Sequence, residues 1–85
     1  MAQFKILGIL IKDRIKEAGK TQDVLTRYGS IISSRMGLHE VSTEKCSRVG
    51  MIILQLSGDS SQWGELEEEL GGIEGIEVQN MNFFA

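Results

Sequence analysis

Two runs of the chain are apolar at both alternating sets of positions, and they set the architecture. The first, Phe4 to Lys12, places Phe4, Ile6 and Leu10 in one set and Leu7, Ile9 and Ile11 in the other. The second, Val49 to Leu56, carries Met51 and Ile53 against Ile52, Leu54 and Leu56. A strand apolar on both faces is covered on both sides, so both runs are predicted as central strands of one sheet. A third run, from Ile31 to Leu38, is semi-polar. Strict alternation puts Ile32, Ser34, Met36 and Leu38 on one face and Ile31, Ser33, Arg35 and Gly37 on the other, the mixture expected at a sheet edge. A last strand is predicted over Glu77 to Phe83, with Val78, Met81 and Phe83 as its large apolar residues.

Between these runs the period lengthens. Ala18, Thr21, Val24, Leu25 and Tyr28 recur at three- and four-residue spacing and predict a helix over Thr21 to Tyr28. The charged stretch Asp13 to Lys20 before it reads as a loop or frayed first turn, and Gly29 after it as a left-handed stop. Trp63, Leu66 and Leu70 predict a second helix over Ser61 to Leu70, capped by Asp59 or Ser60 and ended by Gly71 and Gly72. Gly37 to Ser47 is polar and aperiodic, a hairpin connection. The order β, α, β, β, α, β makes two βαβ units in tandem. With right-handed crossovers it predicts an α+β, ferredoxin-like βαββαβ domain over residues 1–85: a four-stranded antiparallel sheet with two helices on one face. The first and third strands are central in that fold, and they are the two doubly apolar runs.

Helices on one face leave the other bare. The bare face carries either Phe4, Ile6 and Leu10 or Leu7, Ile9 and Ile11, with the matching residues of the third strand. That is an apolar patch of several hundred Å2, more than a monomer ordinarily exposes. A homodimer or homotetramer joined through the sheet is therefore expected. Chain length adds to the argument, because 85 residues bury only about 60 to 65% of the unfolded surface and leave a marginal core.

Composition then narrows the function classes. The formal charge of −3 argues against broad attraction to nucleic acid, although the basic residues gather in the first 48 positions and the acids after Asp59. A single cysteine excludes an intrachain disulfide framework. No apolar run reaches the ~18 residues of a membrane span and no secretion signal opens the chain, so a cytoplasmic protein without membrane contact is expected. Neither a Ser-His-Asp spacing, a glycine-rich phosphate loop nor a Cys-x-x-Cys pair is present, and no enzymatic activity or cofactor is expected. Glu65, Glu67, Glu68 and Glu69 read as a solvated acidic face. Arg35 and Arg48 fall on or beside neighbouring strands, where guanidinium forks suit a carboxylate or phosphate, and Ser33 and Ser34 add hydroxyls.

Ile9 to Arg14, Tyr28 to Leu38, the apolar strand closing at Ser57 and Gly58, and Gly75 to Val78 together resemble the small bacterial proteins called iron-only hydrogenase system regulators. The likeness runs from Phe4 to about Phe83, and its most specific segments are Asp13-Arg14 and Ser34 to Gly37. The resemblance implies kinship in fold with ACT domains and with the carboxy-terminal domain of nickel-responsive repressors, hence an oligomeric regulatory module with a small effector at a subunit interface. It places Asp13 and Arg14 where ACT-like domains hold an effector loop, although the first glycine after the strand is only Gly19. It also implies a second reading, a metal sensor using His39 and Cys46, to be completed across subunits or by Glu40 and Glu44. A third is a purely structural, partner-binding protein.

Overall fold

The computed structural model describes residues 2–39 and 49–85, apart from the side chains of Arg14, Leu38 and His39. The described elements are β1 (Gln3–Ile11), α1 (Arg14–Arg27), β2 (Ile32–His39), β3 (Gly50–Leu56), α2 (Trp63–Gly71) and β4 (Ile76–Phe84), with 3-10 turns at Gly29–Ile31 and Ser60–Gln62. The strands pair antiparallel in the order β2-β3-β1-β4. This is the ferredoxin-like α+β fold, with the two doubly apolar runs in the middle.

Register decides which set of apolar residues meets the helices. Leu7 lies opposite Leu54 and Ile9 opposite Ile52, and these side chains join Val24 and Leu25 of α1 and Trp63, Leu66 and Leu70 of α2 in one core. Leu7, Ile9, Leu54, Leu66 and Leu70 are fully buried. The other set, Phe4, Ile6 and Leu10 with Met51 and Ile53, faces away from both helices. Across β1 it meets Phe83, Met81 and Glu77 of β4, and Gly8 of β1 meets Gln79.

Three local features differ from the expectation. Helix α1 starts at Arg14 rather than near Thr21, because Asp13 caps it: its Oδ1 accepts the amides of Ile15 at 3.2 Å and Lys16 at 3.3 Å, meeting two of the donors that a helix start leaves free. The helical period was hidden because the buried face of the first turns carries Glu17 instead of an apolar residue. Gly29 is not left-handed. The helix closes at Tyr28, whose amide reaches the Val24 carbonyl at 3.2 Å, and the chain passes into a 3-10 turn that buries Ile31. The left-handed glycines are Gly58 (φ 72°) and Gly75 (φ 84°). Finally, β2 is irregular. Ile32 pairs with Leu56 but Ser34 pairs with Gln55, so the register shifts at Ser33. The extra residue turns Ile32 to the helix side, where it packs against the core. Ser34 and Met36 are left on the open side, breaking the alternation expected across the whole run.

Truncating Leu54 to Ala in this core should lower stability by about 3 kcal/mol, and Asp13→Ala by about 1 kcal/mol through loss of the cap. Denaturant unfolding of both variants measures these losses.

Candidate functional site

The sequence-predicted residues fall at two ends of the sheet. β1 and β2 both run antiparallel to β3, hence parallel to each other. Ser33 and Ser34 start β2 beside the β3 carboxy end, whereas His39 finishes it opposite Gly50, which in turn pairs with Ile11 just before Asp13 and Arg14. Six strand residues separate Ser33 from His39, roughly 20 Å. Within one protomer the structure therefore brings Asp13 and Arg14 towards the His39 end and does not join them to Ser33 and Ser34. Arg35 sits between, opposite Leu54. Its Nη2 donates to Gln22 Oε1 of α1 at 3.0 Å, so it reaches over the helix side of the sheet edge. Ser33 Oγ donates to the Gln55 carbonyl at 3.1 Å, tying down the bulge. Arg48 and Cys46, with Glu40 and Glu44, lie outside the described residues. Among the described residues no three His, Cys, Asp or Glu side chains gather as a metal site would require.

The His39 end holds a residue that sequence reading missed. The Lys12 amide donates to the Gly75 carbonyl at 2.9 Å, drawing the loop before β4 against the end of β1. A Cβ at Gly75 would lie 3.5 Å from Glu17 Cγ, so the left-handed glycine packs directly on this side chain. Glu17 is only 4% exposed, and its buried Oε2 has no hydrogen-bond partner among the described residues. Lys20 Nζ forms an ion pair with this oxygen at 3.9 Å, beyond hydrogen-bond reach. A glutamate in a charged run reads as solvated, and no signal in the sequence marks this one as buried.

The open face is a shallow trough with methionine walls. One hollow of about 260 Å3 is lined by Ile6, Gly8, Met51, Ile53, Gln79 and Met81 among others, and an adjoining hollow of about 220 Å3 by Gly8, Leu10, Met51, Glu77 and Gln79. Both lie over Gly8. An added Cβ there would meet only the Gln79 carbonyl, at 3.9 Å, so the fold itself does not require the glycine. Glycine inside a central strand weakens it and marks places where another group comes close.

Helix α2 is less solvated than its sequence suggests. Glu69 accepts from the Tyr28 hydroxyl and pairs with Arg27 at 2.8 Å. These donors hold its carboxyl below the usual range, and the same contact raises the Tyr28 hydroxyl. The hollow bordered by Tyr28, Glu65, Glu68 and Glu69 is thus acidic and unsuited to an anion. Glu67 pairs with Lys5 at 2.7 Å and accepts from Asn80 Nδ2 at 2.6 Å. Partial burial pushes its carboxyl up, but the Lys5 ammonium and Asn80 amide outweigh it and leave it below the ordinary value.

Two measurements follow from these carboxylates. A carboxyl lowered in the folded state stabilises the protein above its unfolded pKa, near 4.3, and loses that contribution as pH falls through the folded value. Glu67→Gln should therefore cost about 0.5 to 1 kcal/mol at pH 7, a difference that vanishes below about pH 3 in unfolding titrations. Glu17→Met removes, at similar volume, a buried carboxylate oxygen that has only the distant Lys20 ion pair and no hydrogen bond among the described residues, and should raise stability by about 1 kcal/mol.

Solved structures share this architecture. A solved structure of an uncharacterized protein, TM1266 from Thermotoga maritima, superposes with a TM-score of 0.80 at 27% identity, covering 98% of this chain and all of that one. CPII from Thiomonas intermedia K12, a nitrogen regulatory PII-like protein solved bound to ADP, AMP and bicarbonate, superposes at 0.61 with 18% identity, covering 99% of this chain and 93% of that one. Its apo form gives 0.66 at 19%, covering 96% and 90%. At such identity CPII shares the fold alone. No curated protein matches the chain. The profile of the TM1266-like family, described as regulators of the iron-only hydrogenase system, matches residues 3–80, and the chain belongs to that family.

Proposed function

We propose that the protein is a non-catalytic regulatory module that self-associates through the open face of its sheet and binds a small anionic effector at a subunit interface. The observation that carries the reading is the uncovered face. Phe4, Met36, Met51, Met81 and Phe83 are each at least 40% exposed, and Glu77 is its one charge among the described strand positions of that face. Four strands of about eight residues present a face of roughly 25 by 19 Å. That footprint, roughly 475 Å2 before side-chain relief is added, is over half of the ~800 Å2 per partner of a stable interface. A homodimer or homotetramer follows.

The effector reading is supported by the family's regulatory description and by the nucleotides and bicarbonate named with the PII-like neighbour. Guanidinium groups are the donors such anions take, so Arg14, Arg35 and Arg48 are assigned to the site with Asp13, Ser33 and Ser34. In one protomer Asp13 and Arg14 lie at the opposite end of the sheet from Ser33 and Ser34, and two copies would bring them together. A metal-dependent reading through His39 and Cys46 gains no observation from the described residues.

A thermal-shift series with ADP, AMP and bicarbonate tests the effector. A ligand at about a hundredfold its Kd stabilises by about 2.7 kcal/mol, a rise of roughly 10 °C for a domain this small. Arg35→Ala should abolish most of it. No shift from any of the three anions would refute effector binding of this class. Sedimentation tests the assembly separately: a wild-type monomer at micromolar concentration refutes it, and Ile53→Asp should dissociate the native oligomer.

A further inference from the structure

The two edges of the sheet are treated differently. On β2 the register shift at Ser33 interrupts the strand and the Arg35 side chain extends along the edge to Gln22. A bulge and a long cation are devices by which sheets discourage strand addition. β4 has neither. From Ile76 to Phe84 it holds no proline, lysine or arginine, and its pairing with β1 runs without a shift from Gln3 and Phe84 to Ile11 and Ile76.

The ladder shows which backbone groups this edge offers. Ala2 and Ala85 exchange two hydrogen bonds, of 2.6 and 2.8 Å. Alternation then places Phe83, Met81, Gln79 and Glu77 in hydrogen-bonded pairs with β1. The amides and carbonyls of Val78, Asn80, Asn82 and Phe84 consequently point outward. The strand is also held extended from the helix side: Asn82 Nδ2 donates to Asn80 Oδ1 at 2.9 Å, and Asn80 donates to Glu67, which Lys5 pairs. An edge already ordered loses little entropy on pairing.

We propose that β4 is a strand-pairing edge that joins a second copy of this chain, antiparallel and about a twofold axis at Met81, into one sheet of eight strands. That register engages every outward backbone group. It sets Val78 opposite Phe84 and Asn80 opposite Asn82, apolar against apolar and amide against amide. It also keeps Glu77, the one charged side chain on β4, at the far end of the paired strands from the Glu77 of the second copy. The neighbouring carboxylates do not oppose it, because Glu67 is paired with Lys5 and Glu69 is turned to Arg27. Self-pairing is favoured over a foreign strand because this one register matches polarity at every position. The interface uses the edge and not the open face, and does not rest on the association proposed above.

Positions 80 and 82 lie on the helix side of the sheet, where open-face association cannot bring two copies together. Asn80→Cys and Asn82→Cys are made separately in a Cys46→Ser background, and oxidative cross-linking is compared for each alone and for the mixture. The paired register predicts a disulfide-linked dimer forming about tenfold faster in the mixture, since hydrogen-bonded partners about 5.5 Å apart fit a disulfide. Asn82→Pro removes an outward amide and no bond to β1, and should halve the sedimenting mass with an unchanged far-UV spectrum. Mixed chains that cross-link no faster than either alone, or a folded proline variant that keeps the wild-type mass, overturn the proposal. If Ile53→Asp dissociates the protein while both edge probes are silent, the open-face reading stands and the edge reading fails.

Discussion

Everything in this fold depends on two central strands being hydrophobic on both sides while the helices cover only one. Leu7, Ile9, Ile52, Leu54 and Leu56 gain their burial inside the protomer from α1 and α2. Phe4 and Met51 stay exposed there, and Ile6 and Ile53 are only partly buried. A domain this small has few other sources of apolar burial.

Gly8 fits that arrangement. In the centre of β1 it gives up side-chain packing and backbone rigidity, yet no neighbour within the protomer forbids a larger residue. The trough it leaves is walled by Met51 and Met81, flexible side chains able to adjust to what enters. Polar groups on the open side stand towards strand ends and edges, at Ser34, Gln55, Glu77 and Gln79. An apolar centre within a polar rim is the usual anatomy of a protein interface.

Charged groups on the helix side mostly serve order rather than solubility. Lys5, Glu67, Asn80 and Asn82 form a chain of bonds from β1 through α2 to β4, and Arg27, Glu69 and Tyr28 tie the two helices together. Glu17 is the exception: buried beneath Gly75 at the same end of the sheet as Asp13 and His39, its Oε2 has no hydrogen-bond donor among the described residues. A buried carboxylate oxygen without a hydrogen bond lowers stability, and this one lies beside the loop that β1 holds through Lys12 and Gly75.

The order of elements, the central place of β1 and β3, and the existence of a bare apolar face were all legible in the amino-acid sequence, because alternation and helical period are local properties that survive without knowing the partners. Which set was bare was not legible, since both are equally hydrophobic and only the register with the helices separates Leu7 from Ile6. The start of α1 was hidden by Glu17, and the facing of β2 by the residue inserted at Ser33, because one extra residue reverses alternation without changing composition. The candidate site fared similarly. Its residue types were readable, but that Ser33 and Asp13 stand at opposite ends of the sheet follows from β1 and β2 being parallel, a relation that only the pairing of both strands with β3 decides.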